Sequence, residues 1–276
     1  MIPRHVTRLA YLVALANGAA AALTLLIPDV LTGPALSNGN ARGTTLVMLV
    51  IAIPLLVVAA TLAQRDAPRA ALVLLGALAY LAYNDVLLLF LTPFNRLFLL
   101  YTSAFAATIF TSIETVRTLD FPRVAAAFVA IPSRAIAGYA WVVVVLNTLG
   151  WLATIVPAMT AERPGSFLDG VGVATNAVFA EDLSFWLPGA AIAAALLWRR
   201  RPAGFVLIGA WLVYGLIESI SVATDQWFGM QADPSVDATP AIVLFVVLAV
   251  IGLVPLSFYF RDRRSRVARS VTATAA

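Results

Sequence analysis

The chain has 276 residues, 62% hydrophobic and 12% charged, with a formal net charge of +4 and a mean hydropathy of +0.94. An ordinary soluble domain is about 45–50% apolar and about 25% charged, so the composition excludes that class and points to helices that cross a bilayer. Cysteine is absent, all 18 basic residues are arginine and His5 is the single histidine, which excludes disulfides, thiolate metal sites, a lysine Schiff base and a multi-histidine metal or haem centre.

Eight apolar runs follow one another: Leu9–Ile27, Thr44–Ala63, Ala70–Leu91, Leu97–Val116, Ala135–Val156, Ala177–Trp198, Ala203–Ala223 and Ala241–Phe260. They are too continuous for barrel strands, which alternate with period two. The first follows Arg4 and Arg8, as a signal peptide would. Its length and its later counterpart favour a retained span. The expected fold is all-α, a polytopic membrane protein of eight transmembrane helices.

Arginine sorts by loop. Fifteen lie on one side, in the N-terminal segment, the second, fourth and sixth loops and the tail; only Arg42, Arg96 and Arg163 lie on the other. This is the positive-inside pattern rather than a nucleic-acid stripe, so both termini are expected in the cytoplasm. The other side carries Asp29, Glu162, Asp169, Asp225, Asp233 and Asp237. Abundant alanine and arginine without lysine suit a high-GC bacterial genome, hence a bacterial inner membrane. The fourth loop, from Pro122 to Pro132, reads as a short interfacial helix or a plain linker.

Two stretches resemble each other. Pro54, Arg65, Pro68, Gly76 and Asp85 are spaced 11, 3, 8 and 9; Pro188, Arg199, Pro202, Gly209 and Glu218 are spaced 11, 3, 7 and 9. LVLLGAL stands beside FVLIGAW. The expected organisation is a tandem repeat of two four-helix units, 1–120 and 135–260, joined by 121–134 and followed by a basic tail, 261–276. Four spans per unit give both units one orientation, a parallel repeat about the membrane normal. Pro54 and Pro188 lie inside spans, where each removes a backbone donor and kinks or opens its helix.

Acids inside hydrocarbon are the candidate site. Asp85 lies roughly 10 Å below the end of its span, Glu218 similarly, and Glu181 and Asp182 less deep. A mid-membrane carboxylate costs about 2.5–3.5 kcal/mol on insertion scales, so each must face the bundle and find a partner. Helical spacing adds Tyr214 beside Glu218, and Asn84 and Asn147 on neighbouring faces. Arg96 is the basic residue nearest to these acids, and a salt bridge to Asp85 or Glu218 is expected. The ligand-binding set is therefore Asp85, Glu218, Asp182, Glu181, Asn84, Asn147, Arg96 and Tyr214, lining an outward-facing cavity for a cation or small polar solute. The plainer readings are end-capping by Glu181 and Asp182, a surface pair of Glu114 with Arg117, and structural hydrogen bonds at Asp85 and Glu218.

HExxH, Walker A and GxSxG patterns are absent, and no cofactor or metal is expected. The expected function is transporter-like binding. The alternatives are a structural or accessory protein that binds a lipid or partner protein, and an enzyme acting on a lipid-linked substrate. Asp182-Leu183 with Pro188 and LLWRRRPAGFVL, and YNDVLLLFLTPFNRLFLLY from Tyr83 to Tyr101, resemble patterns of bacterial multi-pass membrane proteins without an assigned activity. The resemblance implies an integral membrane protein and no particular chemistry.

Overall fold

A computed structural model describes residues 2–261. The tail arginines Arg263, Arg264, Arg266 and Arg269 lie outside the described residues. The described chain is helical without strands, and eight of its helices are long and apolar enough to cross a membrane. They are α1 (Arg4–Leu26), α2 (Ala35–Gln64), α3 (Pro68–Phe90), α4 (Phe98–Thr118), α6 (Ser133–Thr160), α7 (Ala177–Trp198), α8 (Pro202–Ala232) and α9 (Thr239–Phe260). A short helix, α5 (Phe121–Ala126), joins the halves. The protein is an integral membrane protein by this criterion. The large side chains left outside, such as Leu15, Phe110, Leu146 and Leu244, form the apolar surface that lipid requires.

The loops gather at two ends. At the arginine-rich end, Arg123 pairs with Asp66, Arg69 donates to the Phe260 carbonyl (3.1 Å), and Arg200 donates to Val129 O (2.6 Å) and Ser133 Oγ (3.0 Å). At the arginine-poor end, Arg42 donates to Pro28 O (2.5 Å) and Ser37 to Val171 O (2.8 Å). Helix α5 is capped by Asp120, whose side chain accepts from the Arg123 N–H at 3.0 Å. The segment after it tucks Phe128 inward against Tyr259 and Phe260, while Val129 stays exposed.

Helices α3 and α8 cross at the centre. A Cβ on Gly76 would stand 2.7 Å from Ala210 O, and one on Gly209 would stand 2.5 Å from the Leu72 side chain. Only glycine permits this approach. Helices α2 and α4 flank α3, and α1 packs on α2 and α4; α7 and α9 flank α8, and α6 packs on α7.

Two helices outrun their apolar runs. Helix α2 starts at Ala35, through the polar stretch SNGNARG, and α8 continues to Ala232. These extensions pack on each other through Gly39, Gly43 and Gly229, a spacing that lets backbones touch. Hydropathy alone ends both helices too soon, because close backbone packing and not apolarity holds these turns.

Pro54 and Pro188 each sit just after a π turn, whereas Pro157 and Pro255 lie inside continuous α-helix. Met48–Ala52 precedes Ile53-Pro54, and Asp182–Trp186 precedes Leu187-Pro188. The Ile53 N–H reaches back five residues to Met48 O, and Leu187 N–H to Asp182 O. Proline offers no N–H and its ring crowds the carbonyl four residues back; the wider turn relieves both. The helices therefore open locally without breaking.

The turns after them also match. Asp66 and Arg200 are left-handed, with φ of 68° and 55°. Asp66 N–H bonds Ala63 O and Ala67 N–H bonds Leu62 O; Arg200 N–H bonds Leu197 O and Arg201 N–H bonds Leu196 O. Both are Schellman caps, closed by Pro68 and Pro202 at the start of the next helix.

Candidate functional site

The polar interior is divided into two. The first part is sealed between α1, α3 and α4. Asp85 is fully buried there; its Oδ2 lies 2.9 Å from the Thr108 hydroxyl, which accepts from the Asn17 amide at 3.1 Å. Asp85 Oδ1 and Asn17 Oδ1 are buried without a hydrogen-bond partner among the described residues. Two turns away, Thr24 and Tyr101 bond at 2.6 Å. The spacing of Tyr101, Thr108 and Thr115 keeps one hydroxyl face of α4 against α1 and α3.

The second part is a cavity of about 560 Å³ among α2, α3, α6, α7, α8 and α9. Three carboxylates border it: Asp182, Glu218 and Asp225. Glu218 and Asp225 are seven residues apart, two turns on one face of α8. Glu218 lies roughly 24 Å along α8 from Pro202, and Asp225 about 10 Å further toward the arginine-poor end. Among the described residues, no arginine contributes to the lining.

Each acid has a local donor. Glu218 Oε2 accepts from Asn84 Nδ2 at 3.0 Å, and that amide also donates to Tyr80 O. Tyr80 itself reaches Ser221 at 2.9 Å, so a polar seam stitches α3 to α8. Asp182 Oδ2 accepts from Trp151 Nε1 at 2.7 Å. Asp225 accepts from Gln226 at 2.9 Å and from Thr44 at 3.5 Å. Glu181 accepts from Trp186 Nε1 at 3.3 Å and stands beside the cavity rather than on its wall.

Aromatic rings make the rest of the deep wall. Trp186 and Tyr214 stack at 5.0 Å, and Tyr83 meets both edge-on at 5.8 and 5.9 Å. Trp211 and Tyr139 pair at 6.1 Å beside them. Such a wall presents negative ring faces, which together with carboxylates attract positive charge.

The expected residues separate accordingly. Glu218, Asp182, Asn147 and Tyr214 line the cavity, and Asn84 supports it from behind. Asp85 belongs to the sealed cluster and does not reach the cavity. The expected Arg96 salt bridge is absent: Arg96 is exposed and pairs with neither acid among the described residues. A long charged side chain at a helix end keeps its head in water when the buried acids already have neutral donors. End-capping at the start of α7 falls to Asn176, which accepts from the Phe179 N–H, and not to Glu181 or Asp182. Glu114 pairs with Arg117 at 3.7 Å and also with His5 at 2.9 Å.

Sequence reasoning left Asp225 in a loop because it ended the seventh span at Ala223. The signal was the seven-residue spacing from Glu218. The donors Thr44, Gln226 and Trp151 had no signal of their own.

No group of three or more histidine, cysteine or acidic side chains among the described residues is arranged to hold a metal. Comparison of the chain with family models, with curated proteins and with solved structures finds no match.

Proposed function

We propose that this is a transporter-like integral membrane protein that binds a cation or a small polar solute in the cavity bordered by Asp182, Glu218 and Asp225. One observation carries the reading. Three acids and an aromatic wall surround a space with no basic side chain on its lining among the described residues. A buried charge is costly unless compensated, so a positive ligand supplies what the wall lacks. The volume, about 560 Å³, is that of a site for a small organic molecule.

The site residues proposed are Asp182, Glu218, Asp225, Asn147 and Tyr214, with Asn84 and Trp151 as positioning groups. Asp85, with Asn17 and Thr108, is a structural cluster in this reading. Two tandem units, 1–120 and 135–260, with the linker 121–134, are supported by the paired π turns before Pro54 and Pro188 and by the paired left-handed caps at Asp66 and Arg200. The π turns are the natural hinges of a moving unit. The asymmetric arginine distribution supports cytoplasmic termini in a bacterial inner membrane, with the cavity nearer the outer face.

Thermal stability in a neutral detergent tests the proposal. Tetramethylammonium, with inorganic cations and polyamines beside it, is expected to raise the melting temperature of the wild type and not of Glu218→Gln or Asp182→Asn. Uptake into liposomes follows for any ligand that passes. Equal stabilisation of wild type and variants sinks the site. So does no stabilisation by any cation, with variants that melt lower, which is the signature of purely structural acids.

A further inference from the structure

The two halves differ where the cavity opens. In the first half, α1 and α4 lie side by side and the Asn17–Thr108 bond closes the bundle over Asp85. Their counterparts in the second half, α6 and α9, hardly touch. They draw together near Tyr139 and Gly252, where Tyr139 Oη would stand 3.8 Å from a Cβ on that glycine. Toward the arginine-poor end they leave a slot. Val143 and Asn147 of α6 face it from one side, and Phe245 and Leu248 of α9 from the other, and all four line the cavity. These two helices are also the least buried of the eight, so the slot faces the apolar surface of the molecule.

We infer that the ligand of this cavity is an amphipathic amine, a cationic head with an apolar tail, which enters sideways from the membrane through the slot between α6 and α9. The inference rests on the cation-binding reading above and names its substrate class. The chemistry runs as a gradient. The carboxylates of α7 and α8 and the rings of Tyr83, Trp186, Trp211 and Tyr214 lie together on one wall, and three of the four side chains at the slot, Val143, Phe245 and Leu248, are hydrocarbon, with Asn147 the polar one. A strongly hydrated inorganic ion gains nothing from an apolar mouth. An alkylammonium head is weakly hydrated and favoured by ring faces, and a tail left in the slot stays in contact with apolar side chains and lipid. An aminophospholipid offers the same amine, but its phosphate would meet three acids and no arginine on the lining. A free amphipathic amine is therefore the source favoured over a phospholipid headgroup.

The test uses the whole protein in dodecyl maltoside, with binding followed by the fluorescence of Trp151, Trp186 and Trp211, which border the cavity. The probes are tetramethylammonium, decyltrimethylammonium, decanol and a diacyl phosphatidylethanolamine. Decyltrimethylammonium is expected to bind at least about tenfold more tightly than tetramethylammonium, since each methylene removed from water adds favourable transfer. Both should weaken in Glu218→Gln, and decanol and phosphatidylethanolamine should not compete. The chain has no cysteine, so Val143→Cys with Leu248→Cys gives a single linkable pair across the slot. Bridging it with a bifunctional thiosulfonate should slow decyltrimethylammonium entry at least about tenfold while leaving tetramethylammonium unchanged; the unbridged double variant controls for folding. If both cations bind with equal affinity, or bridging leaves the long-chain rate unaltered, lateral entry is overturned while cation binding stands. Competition by phosphatidylethanolamine overturns the free amine as the source. If neither cation binds, or binding ignores Glu218→Gln, the cation site itself falls and the inference with it.

Discussion

Gly43→Ala is the substitution that most directly probes how the cavity wall is built. The new Cβ would stand 2.5 Å from the Asp225 Cα, 2.9 Å from its backbone nitrogen and 2.9 Å from Thr224 O. These are backbone atoms, so no side chain can swing aside. Helices α2 and α8 must part by about 0.5–1 Å, which forfeits a quarter to a half of the dispersion along the seam. Overpacking of this kind costs about 1–3 kcal/mol, and the better helix propensity of alanine returns about 1 kcal/mol. The expected net loss is up to about 2 kcal/mol relative to the wild type, and about 1–3 kcal/mol relative to a glycine-to-alanine change in open space. Gly150→Ala is the control, because a Cβ there meets nothing within 4 Å. It should be neutral or stabilising by up to about 1 kcal/mol. Equilibrium unfolding of both variants in mixed micelles, followed by helical circular dichroism, gives the comparison. If Gly43→Ala is as stable as Gly150→Ala, the α2–α8 contact is not a tight glycine seam. The same variant moves Asp225, so cation binding should weaken alongside stability.

Three further outcomes are expected. Trp151→Phe keeps the ring but removes the donor 2.7 Å from Asp182 Oδ2, and should cost about 1–3 kcal/mol in the same unfolding assay; in an Asp182→Leu background it should cost little, and additive losses would refute the pairing. Arg200→Ala removes the bonds to Ser133 and Val129 and should destabilise by about 1 kcal/mol, whereas Arg199→Ala, for which no such bond is seen among the described residues, should be near neutral. Asp237 lies outside the spans, at the start of α9, and the Thr239 hydroxyl, then its backbone N–H, hold the carboxyl below the usual carboxylate value of 3.8. A group depressed on folding stabilises fully above that ordinary value and ceases to as pH falls through the lowered one. Carbon-detected titration should therefore find a low Asp237 pKa, and Asp237→Ala should remove that part of the acid sensitivity; an Asp237 that titrates at the ordinary value refutes the bonds from Thr239.

The spans were legible because lipid imposes a length and a composition on every crossing helix. Their ends were not. SNGNARG at the start of α2 and the turns beyond Ala223 in α8 are polar, and what holds them is backbone contact at Gly39, Gly43 and Gly229, which hydropathy does not weigh. The acids were legible as exceptions to an apolar helix, and Glu218 and Asp182 do meet at one cavity. The separation of Asp85 from them was not, because it depends on which faces of α3 turn toward α4 and which toward α8. Asn84 and Asp85 are neighbours in sequence, yet one bonds Glu218 and the other Thr108. Successive residues on a helix point about 100° apart, so one residue serves each interior. Arg96 misled because charge proximity along the chain says nothing of where water is. The slot between α6 and α9 had no signature at all, since a missing contact leaves none in a sequence.

The π turn at Asp182–Trp186 acts as a phase shifter. Adding one residue to a turn advances every later side chain by about 100° relative to those before it. Asp182 and Pro188 stand on opposite sides of that step, so the orientation of the acid toward Trp151 is not fixed by the rest of α7. Were the turn to relax to ordinary α pitch, the longer part of the helix after Pro188 would stay still while its first turns rotated like the dial of a combination lock. The carboxylate would leave the indole and another side chain would take its place at the wall. A single-residue deletion between Leu183 and Phe185 would make that rotation permanent, freezing in one sequence a setting that the native helix holds only through its proline.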